Sequence, residues 1–113
     1  KRWKKQVSFI NNSNSVKPSW FGLPMILNKK YKNKKNQIFN KLDKLGIENR
    51  PIISGNFLQQ PAIRNYHLKQ KSKDFPNANF VHEHGLFVGL KNQILNRKEI
   101  KKFADIFFKA FKN

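Results

Sequence analysis

The sequence predicts an α+β domain: a small, mainly antiparallel sheet of about three strands, covered on one face by two main helices. Two apolar stripes predict the helices. Ile38, Phe39, Leu42 and Leu45 fall on one side of a helix near residues 34–45, with lysines opposite. Ile100, Phe103, Ala104, Phe107 and Phe111 repeat the pattern near 97–111. The sheet is predicted by short apolar runs at Trp20–Leu27, Ile47–Ile53 and Leu86–Leu90, interleaved with those helices. Each stripe is too amphipathic to stand alone, so the helices need the sheet as cover.

Taken in order, residues 1–19 form a polar, turn-rich lead-in. In it Asn11-Asn12-Ser13-Asn14-Ser15 separates an apolar patch (Val7, Phe9, Ile10) from Pro18. Trp20–Leu27 reads as a strand, and Pro24 inside it marks an edge or a bulge, because proline cannot donate to a ladder. A lysine-dense turn over 28–36 leads into the first helix, and Gly46 stands where a C-terminal glycine ends one. The next strand, Ile47–Ile53, runs into Pro51 and a Ser54-Gly55-Asn56-Phe57 loop. Leu58–Tyr66 predicts a short helix with Pro61 in its first turn. A charged loop follows over 67–74. Pro76 opens another short helix that runs to His84 and is stopped by Gly85, and Leu86–Leu90 is the third strand. Asn96 caps the last helix, with Glu99 three residues on, as in a capping box.

The 113 residues fit one domain, 1–113, and a 38% hydrophobic content with eleven Phe supports a folded core. With no cysteine, disulfides, thiolate metal sites and an iron–sulfur cluster held by this chain are excluded. The basic start, Lys1-Arg2-Trp3-Lys4-Lys5, is not followed by an apolar run and does not read as a signal peptide. No stretch has the apolar length of a membrane span, which predicts a cytoplasmic domain. The charge is extreme, 24 Lys+Arg against 6 Asp+Glu for a net +18. A basic nucleic-acid-binding module is therefore an alternative function. Against it, the charge is spread along the chain and carried by lysine, with arginine only at Arg2, Arg50, Arg64 and Arg97.

Few residues offer chemistry. His82 and His84 flank Glu83, but i and i+2 do not share a helix face, and His67 stands apart, so no metal site is predicted. Ser54 lacks the Gly-x-Ser-x-Gly setting of a nucleophile, and no phosphate-cradling glycine motif is present. Trp20, Phe21 and Phe57 read as core. Glu48 and Arg50 differ in kind: two apart on a strand, they project from one face beside a glycine loop that lets a ligand approach the backbone. The pair reads either as an exposed ion pair of little energetic weight or as a ligand contact. In the second reading Arg50 takes an anionic or carbonyl oxygen and Glu48 a hydroxyl.

At these residues the chain resembles the C-terminal small domain of the DegT/StrS-type family of pyridoxal-phosphate-dependent nucleotide-sugar aminotransferases and dehydrases. The matching motifs are Trp20-Phe21-Gly22-Leu23-Pro24, Gly46-Ile47-Glu48-Asn49-Arg50-Pro51, Asn77-Ala78, and Gly85-Leu86-Phe87-Val88-Gly89, in that order. The Pro51–Phe57 and Gly85–Gly89 segments are more similar to the branch that removes the 3-hydroxyl of nucleotide-linked 4-keto-6-deoxyhexoses. One departure is Gly89-Leu90-Lys91-Asn92-Gln93, where the family's dehydrase-like strand continues Gly-Asn-His.

The resemblance implies a substrate-facing edge made of Glu48, Arg50, Ser54, Gly55, Asn56 and Phe57, with no catalytic, cofactor-binding or metal-binding residue in this chain. It implies pyridoxal phosphate on a large domain that these residues do not include. None of Lys29, Lys30, Lys32, Lys34 and Lys35 is expected to form its Schiff base. The expected partners are that large domain or a partner subunit, a nucleotide-sugar substrate, and a second copy in a homodimer. The expected setting is polysaccharide biosynthesis at the cell surface, as for lipopolysaccharide. A domain fragment, one piece of a split enzyme and an inactive remnant all fit the sequence.

Overall fold

A computed structural model of the chain describes residues 3–11 and 13–112. The basic Lys1-Arg2 start and Asn12 of the predicted loop lie outside the described residues. Among those described, the elements run β1 (Val7–Phe9), β2 (Gly22–Leu27), α1 (Lys35–Lys44), β3 (Asn49–Arg50), α2 (Pro76–His84), β4 (Gly85–Gly89) and α3 (Arg97–Lys109). All strand pairings are antiparallel, and the spatial order is β1-β2-β4-β3.

The α+β class holds, but the sheet has four strands rather than three. The extra strand comes from the predicted lead-in: Val7, Ser8 and Phe9 pair with Leu27, Ile26 and Met25. The predicted strand over 47–53 shrinks to Asn49–Arg50, because Pro51 has no N–H to continue the ladder. Pro24 sits in a strand that has neighbours on both sides. It is tolerated because the β1 pairing reaches only to Met25, which leaves β2 an edge at Pro24. The predicted helix over 58–66 is two 3-10 turns, Phe57–Gln59 and Pro61–Asn65, and a third such turn, Ser72–Asp74, interrupts the predicted charged loop.

Both main helices lie over one face of the sheet. Val7, Met25, Leu27, Leu86 and Val88 from the strands form a single buried cluster with Ile38 and Leu42 of α1, Phe107 of α3 and Ala110 just past the end of α3. The end of α1 is a Schellman motif: Gly46 has φ +73°, its N–H donates to the Asp43 carbonyl, and the Ile47 N–H donates to that of Leu42, both at 2.9 Å. Ile47 and Leu42 are both buried there, which turns the chain from helix to sheet and delivers Glu48–Arg50 to the β3 edge. The capping box on α3 forms as predicted, with Asn96 Oδ1 accepting from the Lys98 and Glu99 amides and Glu99 accepting from the Asn96 amide at 2.8 Å. No helix among the described residues is long and apolar enough to cross a membrane.

Candidate functional site

The sheet face away from α1 and α3 carries the predicted polar pair. In the antiparallel register Arg50 stands opposite Phe87, and Phe87 opposite Pro24. The Phe87 ring lies across Gly22, where any side chain would collide with it. Phe21 packs against the same ring, with centroids 5.2 Å apart. The Arg50 guanidinium sits over Phe87 at 4.9 Å from the centroid, so a cation is held on an aromatic plate. Glu48 lies beside Gly89, whose missing side chain leaves room for the carboxylate: a Cβ there would be 3.2 Å from Glu48 Oε2. Among the described residues no ion pair joins Glu48 to Arg50 or to any other cation. The exposed ion pair is therefore not what this geometry makes; both charged groups keep their hydrogen-bonding capacity for something else.

Trp20, Phe21 and Phe57 are not core, contrary to the reading from sequence. They are 41%, 72% and 55% exposed. The two main helices cover the opposite face, so Trp20 and Phe21, at the entrance to β2, stay largely open to solvent. An aromatic-rich, charged surface results.

The Ser54–Phe57 loop is fixed from inside. Gly55 has φ +61°, and a Cβ on it would approach the His82 Cα to 2.6 Å, so the loop backbone lies directly on α2. Asn56 is 2% exposed and fully engaged: its Oδ1 accepts from the Leu58 amide at 3.0 Å. Its Nδ2 donates to Asn79 Oδ1 at 2.6 Å and to Ser72 Oγ at 3.1 Å. Gln59 Nε2 donates to the same Asn79 oxygen at 2.7 Å. Of the six residues singled out by sequence, Glu48 and Arg50 thus share the sheet face, Ser54 and Phe57 lie on the loop surface, and Gly55 and Asn56 bind the loop to the body.

Sequence reasoning missed a cleft of about 470 Å³ between the start of α1, the segment after β3 and the end of α2. Lys35, Asn36, Ser54, Gln60, His82 and Glu83 supply its polar lining, and Phe39, Pro51, Ile52 and Ile53 its apolar walls. Lys35 Nζ donates to the His82 carbonyl at 2.8 Å. Burial pushes the pKa of Lys35 down, against the pull of Glu83. Glu83 pairs with Lys32 at 2.8 Å, and that hydrogen bond leads the causes holding its carboxyl below the usual range. His84, two residues from His82, is 3% exposed, packs tilted against the Phe80 ring with centroids 4.5 Å apart, and has no partner for Nδ1 among the described residues. Burial lowers its pKa most, and the charges of Lys32, Lys35 and Lys29 lower it further against Glu83. Nothing in the spacing of these residues signals the cleft, because it joins segments more than forty residues apart, as Lys35 and His82 are.

Pyridoxal phosphate, implied by the resemblance, needs an amine or imidazole at its aldehyde, an acid at its ring nitrogen and a phosphate cradle in one pocket. The residues of the cleft do not fit that set. The acid present, Glu83, is taken by Lys32, and the Lys35 amine is directed to the His82 carbonyl. Among the described residues no group of three His, Asp or Glu side chains could hold a metal ion.

No protein-family model matches the chain. Two curated relatives do, both GDP-4-keto-6-deoxy-D-mannose 3-dehydratases. The one from Yersinia pseudotuberculosis is 34% identical over 88 residues, 78% of this chain and 22% of that protein. The one from Escherichia coli is 37% identical over 71 residues, 63% of this chain and 18% of that protein. Solved structures agree. A variant of GDP-4-keto-6-deoxymannose-3-dehydratase with bound GDP-perosamine matches with a TM-score of 0.71 at 28% identity, over 94% of this chain and 27% of that one. The Escherichia coli enzyme with bound hydrated PLP matches with a TM-score of 0.70 at 26% identity, over 98% and 27%. The chain thus spans 22% and 18% of the length of the two curated relatives. By sequence and by fold, it belongs with the GDP-4-keto-6-deoxymannose 3-dehydratases, the 4-keto-6-deoxyhexose 3-dehydrase branch that its Pro51–Phe57 and Gly85–Gly89 segments resemble.

Proposed function

We propose that this chain is the substrate-facing small domain of a pyridoxal-phosphate-dependent enzyme that removes the 3-hydroxyl of a GDP-linked 4-keto-6-deoxy sugar, and that it performs no chemistry alone. The observation that carries the reading is Arg50, a cation held on the Phe87 ring at 4.9 Å, with Glu48 on the same face and neither charge neutralised by the other. Arg50 takes a phosphate or carbonyl oxygen of the nucleotide sugar, and Glu48 accepts from a sugar hydroxyl. Ser54 and Phe57 extend the edge, while Gly55 and Asn56 keep the loop in place. The cofactor and the group that forms its Schiff base lie on residues outside these 113, in a large domain or a partner subunit. The complete enzyme is a cytoplasmic homodimer of the DegT/StrS type serving cell-surface polysaccharide synthesis.

The test is reconstitution. The chain is expressed with a dehydratase large domain, and the cofactor absorption band and turnover of a nucleotide-linked 4-keto-6-deoxy sugar are measured. Turnover that appears only when both parts are present, and falls on Arg50→Ala, supports the reading; turnover indifferent to Arg50 refutes it. A second reading, sequence-independent binding of a polyanion, draws on the lysines of α3 (Lys98, Lys101, Lys102 and Lys109), which line a shallow exposed groove. It requires saturable nucleic-acid binding that persists at about 0.15 M salt, where screening removes the weakest long-range attraction.

A further inference from the structure

We infer that the cleft between the start of α1, the segment after β3 and the end of α2 is a second binding site, for a small molecule carrying an oxyanion, phosphate or carboxylate, on an apolar body. Neither Glu48 nor Arg50 lines it, and of the proposed sugar edge only Ser54 borders both, so the cleft and its Lys35 cation do not depend on that reading. Its volume of about 470 Å³ suits a ligand of small-molecule size.

The argument rests on a half-buried cation that no carboxylate contacts among the described residues. Lys35 is half-buried, spends one Nζ proton on the His82 carbonyl at 2.8 Å, and lies 5.5 Å from the Phe39 ring centre. Among the described residues no carboxylate comes within 4 Å of it, because Glu83 is engaged by Lys32. Two ammonium protons remain for a ligand. Glu83, engaged by Lys32, offsets only part of the cost of holding a partly desolvated ammonium, and burial still lowers the pKa of Lys35. An entering oxyanion recovers that cost and gains charge-assisted hydrogen bonds. Ser54 lines the same cleft, and its hydroxyl has no protein partner among the described residues. Opposite, Phe39, Ile52 and Ile53 offer apolar wall to the rest of the ligand.

A chain of net charge +18 attracts anions everywhere, so the test must separate a site from a cloud. The 113-residue chain, labelled with ¹⁵N, is titrated with benzoate, GDP and inorganic phosphate at about 0.15 M salt, where diffuse attraction is largely screened. Saturable shifts confined to residues 35–39, 51–54 and 82–83 are expected with benzoate or GDP. Whichever saturates at lower concentration assigns carboxylate or phosphate, and inorganic phosphate alone binds more weakly because it has no apolar body. Lys35→Gln should weaken binding about tenfold or more, the usual loss for a hydrogen bond to a charged group. Lys102→Gln on α3 should leave it unchanged, and Lys35→Arg should retain it. If Lys35→Gln does not fold, the Lys35 side-chain ¹⁵Nζ resonance of the unmodified chain decides: it must move with ligand occupancy. Shifts spread over all lysines, equal weakening in the Lys35 and Lys102 variants, an unmoved Lys35 resonance, or failure of both organic anions to saturate would overturn the site.

Discussion

The Phe87 ring lies over Gly22, two residues along β2 from its register partner Pro24, and occupies the space where any side chain at Gly22 would have to be. The same ring is the plate under Arg50 and the neighbour of Phe21. Gly22→Ala should therefore displace Phe87 and cost about 1–3 kcal/mol, the usual range for overpacking. Chemical denaturation measures the loss. Arg50 should lose its aromatic partner at the same time, seen as a change in its side-chain Nε resonance.

Arg50 itself should matter to function and hardly to folding. An exposed cation–π contact contributes about 0.5–1 kcal/mol to stability. A charge-assisted substrate contact in a closed site is worth about 2–5 kcal/mol when one partner is truncated. Arg50→Ala in the reconstituted enzyme should thus lower kcat/KM by the larger amount while the thermal midpoint barely moves. Lost stability with normal turnover would make the pair a structural clasp.

Gly55 and Gly46 provide a controlled comparison, since both have positive φ but different surroundings. A side chain at Gly46 meets nothing within 4 Å, so Gly46→Ala should cost only the left-handed backbone penalty of about 1–2 kcal/mol. At Gly55 the added carbon would also press on the His82 backbone at 2.6 Å. Gly55→Ala should exceed Gly46→Ala and should shift the amide signals of Asn56 and His82, which the Gly46 variant leaves in place.

Asn56→Ala removes the acceptor for Leu58 and a donor to both Ser72 and Asn79. Leaving these part-buried groups without their partner should cost about 1–3 kcal/mol. Hydrogen exchange should speed up first at Leu58, whose amide loses its cap, before the sheet core is affected.

These expectations divide along what a sequence can carry. The two helices, the Gly46 stop and the Asn96 cap were legible because each is a local pattern: a period, a conformation only glycine takes easily, or a side chain three residues from its partner. Val7–Phe9 was not legible as a strand. Three residues are too few for an alternation to register, and pairing with Leu27 is a long-range event. Glu48 and Arg50 could be placed on one face by parity alone, but no parity rule says that Phe87 would lie beneath the guanidinium. Trp20 and Phe21 were misplaced for a related reason: hydrophobicity argues for burial, and only the completed sheet shows which face stays uncovered. The Asn56–Ser72–Asn79 linkage and the Lys35 cleft join positions 16 to 47 residues apart, where no repeat or spacing leaves a trace.

His84 should make the fold sensitive to acid. Its pKa is lowered in the folded state, so the folded chain resists the proton that the unfolded chain accepts near pH ~6.5. The contribution is complete above that pH and is lost as pH falls through it toward the folded value. Glu83, also lowered, adds a loss in the same direction at lower pH, through the carboxylate range. The thermal midpoint should drop between pH 7 and 5.5, and His84→Phe should flatten that drop while retaining the ring contact with Phe80. An unchanged slope would mean that His84 is not the group that titrates.

α2 ends at His84 and β4 begins at Gly85, with no residue between them. Gly85 turns the helix into the strand without a loop, and a Cβ on it would collide with the Val81 carbonyl. His82, whose carbonyl accepts from Lys35 in the cleft, stands three residues before Gly85, and Phe87, which bears Arg50, stands two residues after it. A ligand that shifts the end of α2 should therefore register five residues on, as a change in the aromatic environment of the Arg50 guanidinium.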